Sequence, residues 1–392
     1  MKENTHVLVL GGGFAGVESA IQLRKLGHQV TLVSNRDYLF VYPISIWIPV
    51  KKKSFNHVKL SLKTLSKKHG FSLVIDDVEH IISSENRVKL SSSEICYEYL
   101  VVAIGMSKMK MKGLEHTHSI CGQPKEAGII KEELEKLVQQ GRGSIAIGFG
   151  GNPKDPTATA VRGGPAFEML FNFSHYLKKL KLREQFDLHF FAPMAEPGRK
   201  MGEKAYQKMD SFFDYYKIQV HKGKKIARFG QSEIHFEDDS VLKSDLIIFI
   251  PGGSGHQVLE SSDLPLSEVG FIRTNQQCQV EGKANVFAVG DVATLIGPKW
   301  AAKQGHLAEV MGKVAAKNID YTFRGKKERE SYTKHLNIIC VMDSGDGAAF
   351  VMRKENSELM LPLPIIGHWM KQFWGFYYRQ SKLKNFPRLP GM

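Results

Sequence analysis

Four thiols, one glycine cluster and one late aspartate are the groups in this chain whose type and placement could do chemistry. Cys96, Cys121, Cys278 and Cys340 are spread too thinly over 392 residues for a disulfide scaffold or a zinc site. Each is therefore either buried filler or a reactive thiol, and no metal centre is expected. Gly11, Gly13 and Gly16 stand in GxGxxG spacing, which lets backbone amides approach a pyrophosphate. Asp291 follows Gly290 at the end of an apolar run. Thiolate nucleophilicity and dinucleotide binding are the two chemistries these groups allow.

The elements around them are readable. "HVLVLGGGFAGVESAIQLRKLGHQVTLVS" predicts a strand, a glycine turn, a helix and a second strand, in the order of a βαβ unit. The helix N-terminus supplies free N–H groups and the positive end of its dipole. The second strand ends at Ser34 and Asn35, where the usual acidic residue is missing, so a hydroxyl or an amide must bond a ribose in its place. "YEYLVVAIG", residues 97–105, predicts a buried strand running into a turn at Ala103 and Gly105. "ANVFAVGDVA", residues 284–293, predicts another that ends at Gly290-Asp291. Together the three stretches resemble the FAD signature of two-dinucleotide-domain flavoproteins. The resemblance assigns Asp291 to the ribityl and phosphate region and makes FAD the expected cofactor.

The expected fold class is α/β with two Rossmann-like dinucleotide-binding domains. A discontinuous FAD domain covers 1–115 and 245–322, a nested, degenerate NAD-type domain covers 116–244, and 323–392 forms a C-terminal region ending in an amphipathic helix. In the nested domain "IAIGFGG" opens like a nucleotide site. Pro153 and Pro156 then stand where the pyrophosphate-binding helix should start, and proline is tolerated only in a helix's first turn. The helix is postponed to about Pro165. The next strand, "FDLHFFAP", ends in Ala192-Pro193 without the carboxylate that grips a nicotinamide ribose. Two separate losses predict a domain that keeps its scaffold and does not bind NAD(P)H.

"VTLVSNRDYLFVYP" ending at Pro43, "HSICGQPKEA", "GGPAFE", "GPKWAAKQGHLAEVMGKVAAKNI" and "LNIICVMDSGDGAAFV" resemble sulfide:quinone oxidoreductase and the flavoprotein subunit of flavocytochrome c sulfide dehydrogenase. The resemblance runs nearly the whole chain. It implies a redox-active sulfur beside the flavin ring and a quinone on its other side. It carries Cys340 over as the essential C-terminal cysteine and Cys121 as a second. The family's third cysteine falls at Arg162, which departs from the pattern and makes Arg162 a candidate substrate-binding residue that attracts HS⁻ and lowers a neighbouring thiol's pKa. Cys121 pairing with Cys340, Cys340 acting alone as a persulfide carrier, and loss of sulfide chemistry all stay open. Lys303 and Gly305 open a helix whose N-terminus would face the flavin's pyrimidine edge.

"PIIGHWMKQFWGFYYRQSKLKNFPRLPGM" predicts a helix with Ile366, Trp369, Met370, Phe373, Trp374 and Tyr377 on one face and His368, Lys371, Gln372 and Arg379 elsewhere. Such a helix fits the membrane interface, with basic residues toward anionic lipid. Phe373 and Trp374 are its candidate contacts to quinone.

Composition bounds the partners. Hydrophobic residues make up 42% and charged ones 24%, the balance of an ordered globular chain. A formal net charge of +14 favours an anionic partner. The basic runs match no nucleic-acid motif, so nucleic acid is not expected. No window holds the ~18 apolar residues of a spanning helix, and "MKENT" lacks a secretory signal. The expected place is cytoplasmic, peripheral on the inner membrane, with sulfide or another small sulfur species and membrane quinone as partners. Self-association into a homo-oligomer is compatible with the sequence. Two alternatives remain from the residues themselves: a type II NADH:quinone dehydrogenase-like flavoprotein, which needs the second nucleotide site, and a non-catalytic flavin-binding protein.

Overall fold

The continuous apolar run Val7–Leu10 is wholly buried, as a strand covered on both faces by helices must be. It forms β1 (His6–Leu10), followed by α1 (Phe14–Lys25) and β2 (Gln29–Ser34), with β1 and β2 parallel and His6 opposite Gln29. A short helix α2 (Leu62–His69) leads to β3 (Ser72–Ile75), and β4 (Tyr99–Val102) pairs with the other edge of β1. The computed structural model describes residues 4–388.

After α3 (Glu126–Gln140) a second parallel sheet begins, with β5 (Gly143–Phe149), α4 (Gly164–Lys179), β6 (Phe186–Ala192), α5 (Glu203–Tyr215), β7 (Ile218–Lys222) and β8 (Leu246–Ile250). Its strand order is β7-β6-β5-β8. The expected boundary at 245 is corrected here. Strand β8 pairs with β5, Ile145 opposite Leu246, so 246–250 belongs to the second sheet; its unbroken apolar run LIIFI fits either sheet equally well by sequence.

The chain returns to the first sheet with β9 (Val286–Ala288), giving the order β9-β4-β1-β2-β3. Helix α6 (Gly305–Phe323) then packs across α1, where a Cβ at Gly312 would lie 2.8 Å from the Ala15 carbonyl oxygen. An antiparallel sheet of β10 (Ile338–Asp343), β11 (Gly347–Lys354) and β12 (Ser357–Pro364) follows, and α7 (Ile366–Lys382) closes the described chain against it.

The core of the second unit is aromatic. The rings of Phe149 and Phe167 are 5.5 Å apart and those of Phe190 and Phe213 are 5.0 Å apart, pairs worth about 0.5–1.5 kcal/mol each beyond their burial. Phe149 ends β5, and a Cβ at Gly163 would come within 2.6 Å of its ring. The aromatic core therefore fixes where α4 starts.

Candidate functional site

Along the carboxyl ends of the first sheet runs the groove that a dinucleotide uses at a topological switch point. Gly11 has φ +109°, and a side chain there would strike the Ala103 carbonyl at 2.3 Å; a Cβ at Gly16 would lie 1.9 Å from the Gly11 oxygen. These two glycines hold turn, helix and strand together. A Cβ at Gly13 meets nothing within 4 Å, so α1's N-terminus, with no side-chain cap, faces open space. At the end of β2 the Ser34 hydroxyl donates to the Arg36 carbonyl at 2.8 Å and accepts from the Arg36 N–H. Asn35 is the exposed polar group beside it.

Beyond β4 the groove continues past Ala103 and Gly105 to Gly290 and Asp291. Here the structure brings together residues that the sequence treated separately. Arg162 is ion-paired with Asp291, is the charge that most favours the Cys121 thiolate, and lies 5.4 Å from the ring centre of Tyr42, the neighbour of half-buried Pro43. The expectation that Arg162 lowers a nearby thiol's pKa needs correction. Burial pushes Cys121 up, and Arg162 and Lys108 only partly offset it. Burial also lowers Lys108 to about 8. Lys303, more deeply buried and likewise lowered to about 8, donates to the Asp291 carbonyl at 3.0 Å. Gly305 begins α6, and a Cβ there would lie 3.2 Å from the Tyr42 hydroxyl.

In the second unit the helix after the glycine turn is delayed, as the prolines predict. Residues 150–163 form no helix but cross toward the first unit: Lys303 N–H donates to Thr159 O at 2.9 Å, and Lys200 Nζ donates to Ala158 O at 2.8 Å. Helix α4 starts only at Gly164, with Pro165 in its first turn. A Cβ on Gly164 would lie 3.8 Å from the sulfur of Cys340. The helix end that would hold a pyrophosphate in a complete site thus faces a thiol. Midway along β6 His189 lies 3.3 Å from His221 of β7, and the strand itself ends at Ala192 with no carboxylate.

Cys340 and Cys121 have different neighbours. Burial, helped by Glu168, pushes the Cys340 thiol up to about 12, and Lys371 opposes it. Glu168, one turn into α4, is ion-paired with Lys371 of α7 and accepts from the Asp343 N–H at 3.0 Å. Asp343 in turn bonds His368 and accepts from Trp47 Nε1 at 3.0 Å. Sequence reasoning missed this buried polar cluster; its visible signals were the Glu closing "GGPAFE" and the His-x-x-Lys spacing of 368 and 371. Of the remaining thiols, Cys96 is exposed and Cys278 is buried.

Helix α7 is turned differently from expectation. Lys371 and Lys382 are 6% and 1% exposed, whereas Trp369 and Phe373 are 65% and 63% exposed. Ile366, Met370 and Phe376 share the exposed side. Tyr377 is buried, and half-buried Trp374 leaves the stripe to stack on Tyr378 at 5.4 Å. Tyr378 stacks on Phe14 at 5.2 Å, and Phe14 meets Tyr42 edge-on at 5.5 Å. An aromatic chain therefore runs from the tail to the nucleotide groove. The lysines turn inward because carboxylates wait there: Lys382 lies 2.5 Å from Glu18 and 2.6 Å from Glu309, and Arg388 lies 2.6 Å from Glu18.

Two nucleotide-type units and thiols beside the groove define the class. The chain belongs to the pyridine nucleotide-disulphide oxidoreductase family, whose model matches residues 5–313, and is an oxidoreductase. Ferroptosis suppressor protein 1 of Homo sapiens is 22% identical over 381 residues, covering 91% of each chain. Demethylphylloquinone reductase NdbB of Synechocystis is 22% identical over 331 residues, covering 80% of this chain and 77% of its own. Among solved structures, the sulfide:quinone oxidoreductase of Aquifex aeolicus superposes with a TM-score of 0.86 at 21% identity, over 97% of this chain and 92% of that one. That likeness establishes the two-unit α/β fold.

FAD is the cofactor the family assigns. The residues fit it at the pyrophosphate, where the uncapped α1 N-terminus and the open space at Gly13 form the cradle. Among the described residues no three His, Cys, Asp or Glu side chains converge as a metal would require.

Proposed function

We propose that this protein oxidises sulfide or another small sulfur species at Cys340 and passes the electrons through FAD to a quinone drawn from a membrane surface. One observation carries the reading: the Cys340 sulfur lies against the α4 N-terminus at Gly164, the position a nicotinamide dinucleotide's pyrophosphate would need. A donor held as sulfur and a donor held as NADH would compete for the same helix end.

Cys340 holds the sulfur as a thiol whose proton is tightly kept, and the α4 amides and Lys371 are the groups that favour its thiolate. Cys121, with Arg162 and Lys108 beside it, offers a second, cation-lined thiol to anionic sulfide. Gly11, Gly13 and Gly16 would hold the pyrophosphate, with Ser34 and Asn35 the polar groups available to one ribose. Ala103, Gly105, Gly290 and Asp291 would line the other half, and Pro43, Lys303 and Gly305 would border its far end. When bound, FAD supplies two-electron transfer between donor and acceptor.

Beside Cys340, Glu168, Lys371 and the Asp343–His368 pair are buried groups able to take up and release the protons that accompany electron transfer. The outward face of α7, with Phe373 at its middle, fits the bilayer interface, while Trp374 serves the inner side. Among the described residues no helix is long and apolar enough to cross a membrane, and a helix lying in the interface needs no span. The similarity to NdbB, a demethylphylloquinone reductase, and to the Aquifex sulfide:quinone oxidoreductase supports the acceptor class. Reduction of a soluble quinone analogue with sulfide as donor tests the proposal. Turnover lost in Cys340→Ser supports it; turnover with NADH and none with sulfide contradicts it.

A further inference from the structure

The lysines of helix α7 cannot meet a lipid surface, because they turn inward: Lys371 is paired with Glu168 and Lys382 with Glu18. The exposed side of the helix starts at once, with Ile365, Ile366 and Trp369 being 67%, 66% and 65% exposed. Beside that end the fold gathers lysines from two runs far apart in sequence, residues 51–53 and 178–181. They meet at the turn between β10 and β11. Lys52 Nζ donates to the Gly345 carbonyl at 2.5 Å, and His175 of α4, about one turn before Lys178 and Lys179, lies 3.3 Å from Asp346. The Ile365 N–H, at the start of α7, donates to the Asp346 carbonyl at 3.0 Å. From the other side the Lys52 and Lys53 amides donate to the Trp47 carbonyl at 2.9 and 3.2 Å, and the Trp47 ring stands 5.6 Å from that of His368 in α7.

The chain's own carboxylates do not account for this gathering. Lys51 is paired with Glu135, but among the described residues Lys53, Lys178 and Lys179 have no ion-pair partner. Lys178 and Lys179 stand exposed in the last turn of α4 and offset its dipole, which gives no reason for Lys52 and Lys53 to join them. Burial lowers the Lys52 pKa and Lys179 lowers it further, against Asp343 and Asp346. The cations thus lie close enough to repel one another, a cost that a shared anion removes. We propose that Lys53, Lys178 and Lys179, with Lys52 behind them, are the headgroup contact of this protein, taking the phosphates of net-negative lipids while Ile366 and Trp369 enter the acyl boundary alongside. This contact rests on the reading of α7 as the membrane-facing helix and adds to it the class of lipid.

Co-sedimentation of the full-length protein with vesicles of phosphatidylcholine alone, and of equal parts phosphatidylcholine and phosphatidylglycerol, tests it. The wild type is expected to bind the mixed vesicles at least roughly tenfold tighter, each lysine at the surface contributing about fivefold. In Lys53→Gln/Lys178→Gln/Lys179→Gln that preference should fall by roughly tenfold or more, with binding to phosphatidylcholine unchanged. Lys225→Gln/Lys326→Gln/Lys327→Gln, which removes the same charge from exposed positions elsewhere, should keep it. If the first variant melts below the wild type, Lys178→Gln/Lys179→Gln must still cost roughly tenfold. Equal binding of the wild type to both vesicles, a preference that survives in the first variant, or the same loss in both triple variants overturns the headgroup contact and leaves the apolar face of α7 as the membrane contact. Binding to neither vesicle removes the α7 reading and this contact with it. A DNA duplex held by the wild type and released only by the first variant, with no preference between vesicles, assigns the lysines to another polyanion and overturns the proposal.

Discussion

Lys382, near the end of the last helix, lies 2.5 Å from Glu18 in the first, so a fully buried ion pair ties the tail to the helix that cradles the nucleotide. Glu309 and Arg388 complete the cluster, and the Tyr378 hydroxyl donates to Glu309 at 2.9 Å. Removing one partner of such a cluster leaves an uncompensated charge, a much larger loss than the net worth of the intact pairs.

Glu18→Gln is therefore expected to destabilise the fold by about 3 kcal/mol in urea unfolding. Burial alone would raise the Glu18 carboxyl, but Lys382 and Arg388 hold it below its ordinary value. A carboxylate depressed in the folded state contributes stability that is present above its unfolded pKa, about 4.3, and is lost as pH falls through the folded value. The wild type should thus lose this contribution on acidification, and the variant should show a flatter acid limb. Equal stability of the two proteins at pH 7 would contradict the role given to the cluster.

Trp369 and Phe373 stand outside the fold, so replacing both by serine should leave the melting temperature in place. Binding to anionic lipid vesicles should fall by roughly tenfold, because two large apolar side chains no longer leave water. Co-sedimentation with vesicles measures this, and unchanged binding with an unchanged fold would rule out α7 as the contact.

The thiols should differ in reactivity. Cys340, held up to about 12 by burial and Glu168, should be alkylated slowly at pH 8, while exposed Cys96 reacts readily. Glu168→Gln removes a charge that disfavours the thiolate and frees Lys371 to stabilise it. Alkylation of Cys340 in that variant should be roughly tenfold faster, the effect of a one-unit fall in pKa. Peptide mapping of the labelled protein follows each site, and a slower rate at Cys340 would reverse the sign argued here.

Local spacing made much of the fold legible. Three glycines, an apolar strand and a helix lie within about one βαβ unit, and Pro153 and Pro156 displace α4 by backbone geometry alone. What escaped was set by partners far along the chain. Arg162 meets Asp291 across 129 residues, Lys371 meets Glu168 across 203, and Lys382 meets Glu18 across 364. A lysine reads as solvent-facing until its buried carboxylate is known, so the helix pattern assigned Trp374 and Tyr377 to the outer face and overlooked Phe376. Tyr42 was unremarkable for the same reason: the Arg162 guanidinium that lies 5.4 Å from its ring centre comes from far along the chain. Strand β8 was misassigned because an all-apolar strand carries no sign of which sheet it joins.

The central claim is that electrons arrive through sulfur at Cys340 and not through a nicotinamide. Anaerobic stopped-flow absorbance with saturating FAD, comparing sulfide with NADH in wild type and Cys340→Ser, tests it most directly. The account predicts flavin bleaching by sulfide in the wild type, loss of most of that rate in the variant, and no bleaching by NADH in either; rapid bleaching by NADH, or sulfide kinetics unchanged by the substitution, would contradict it.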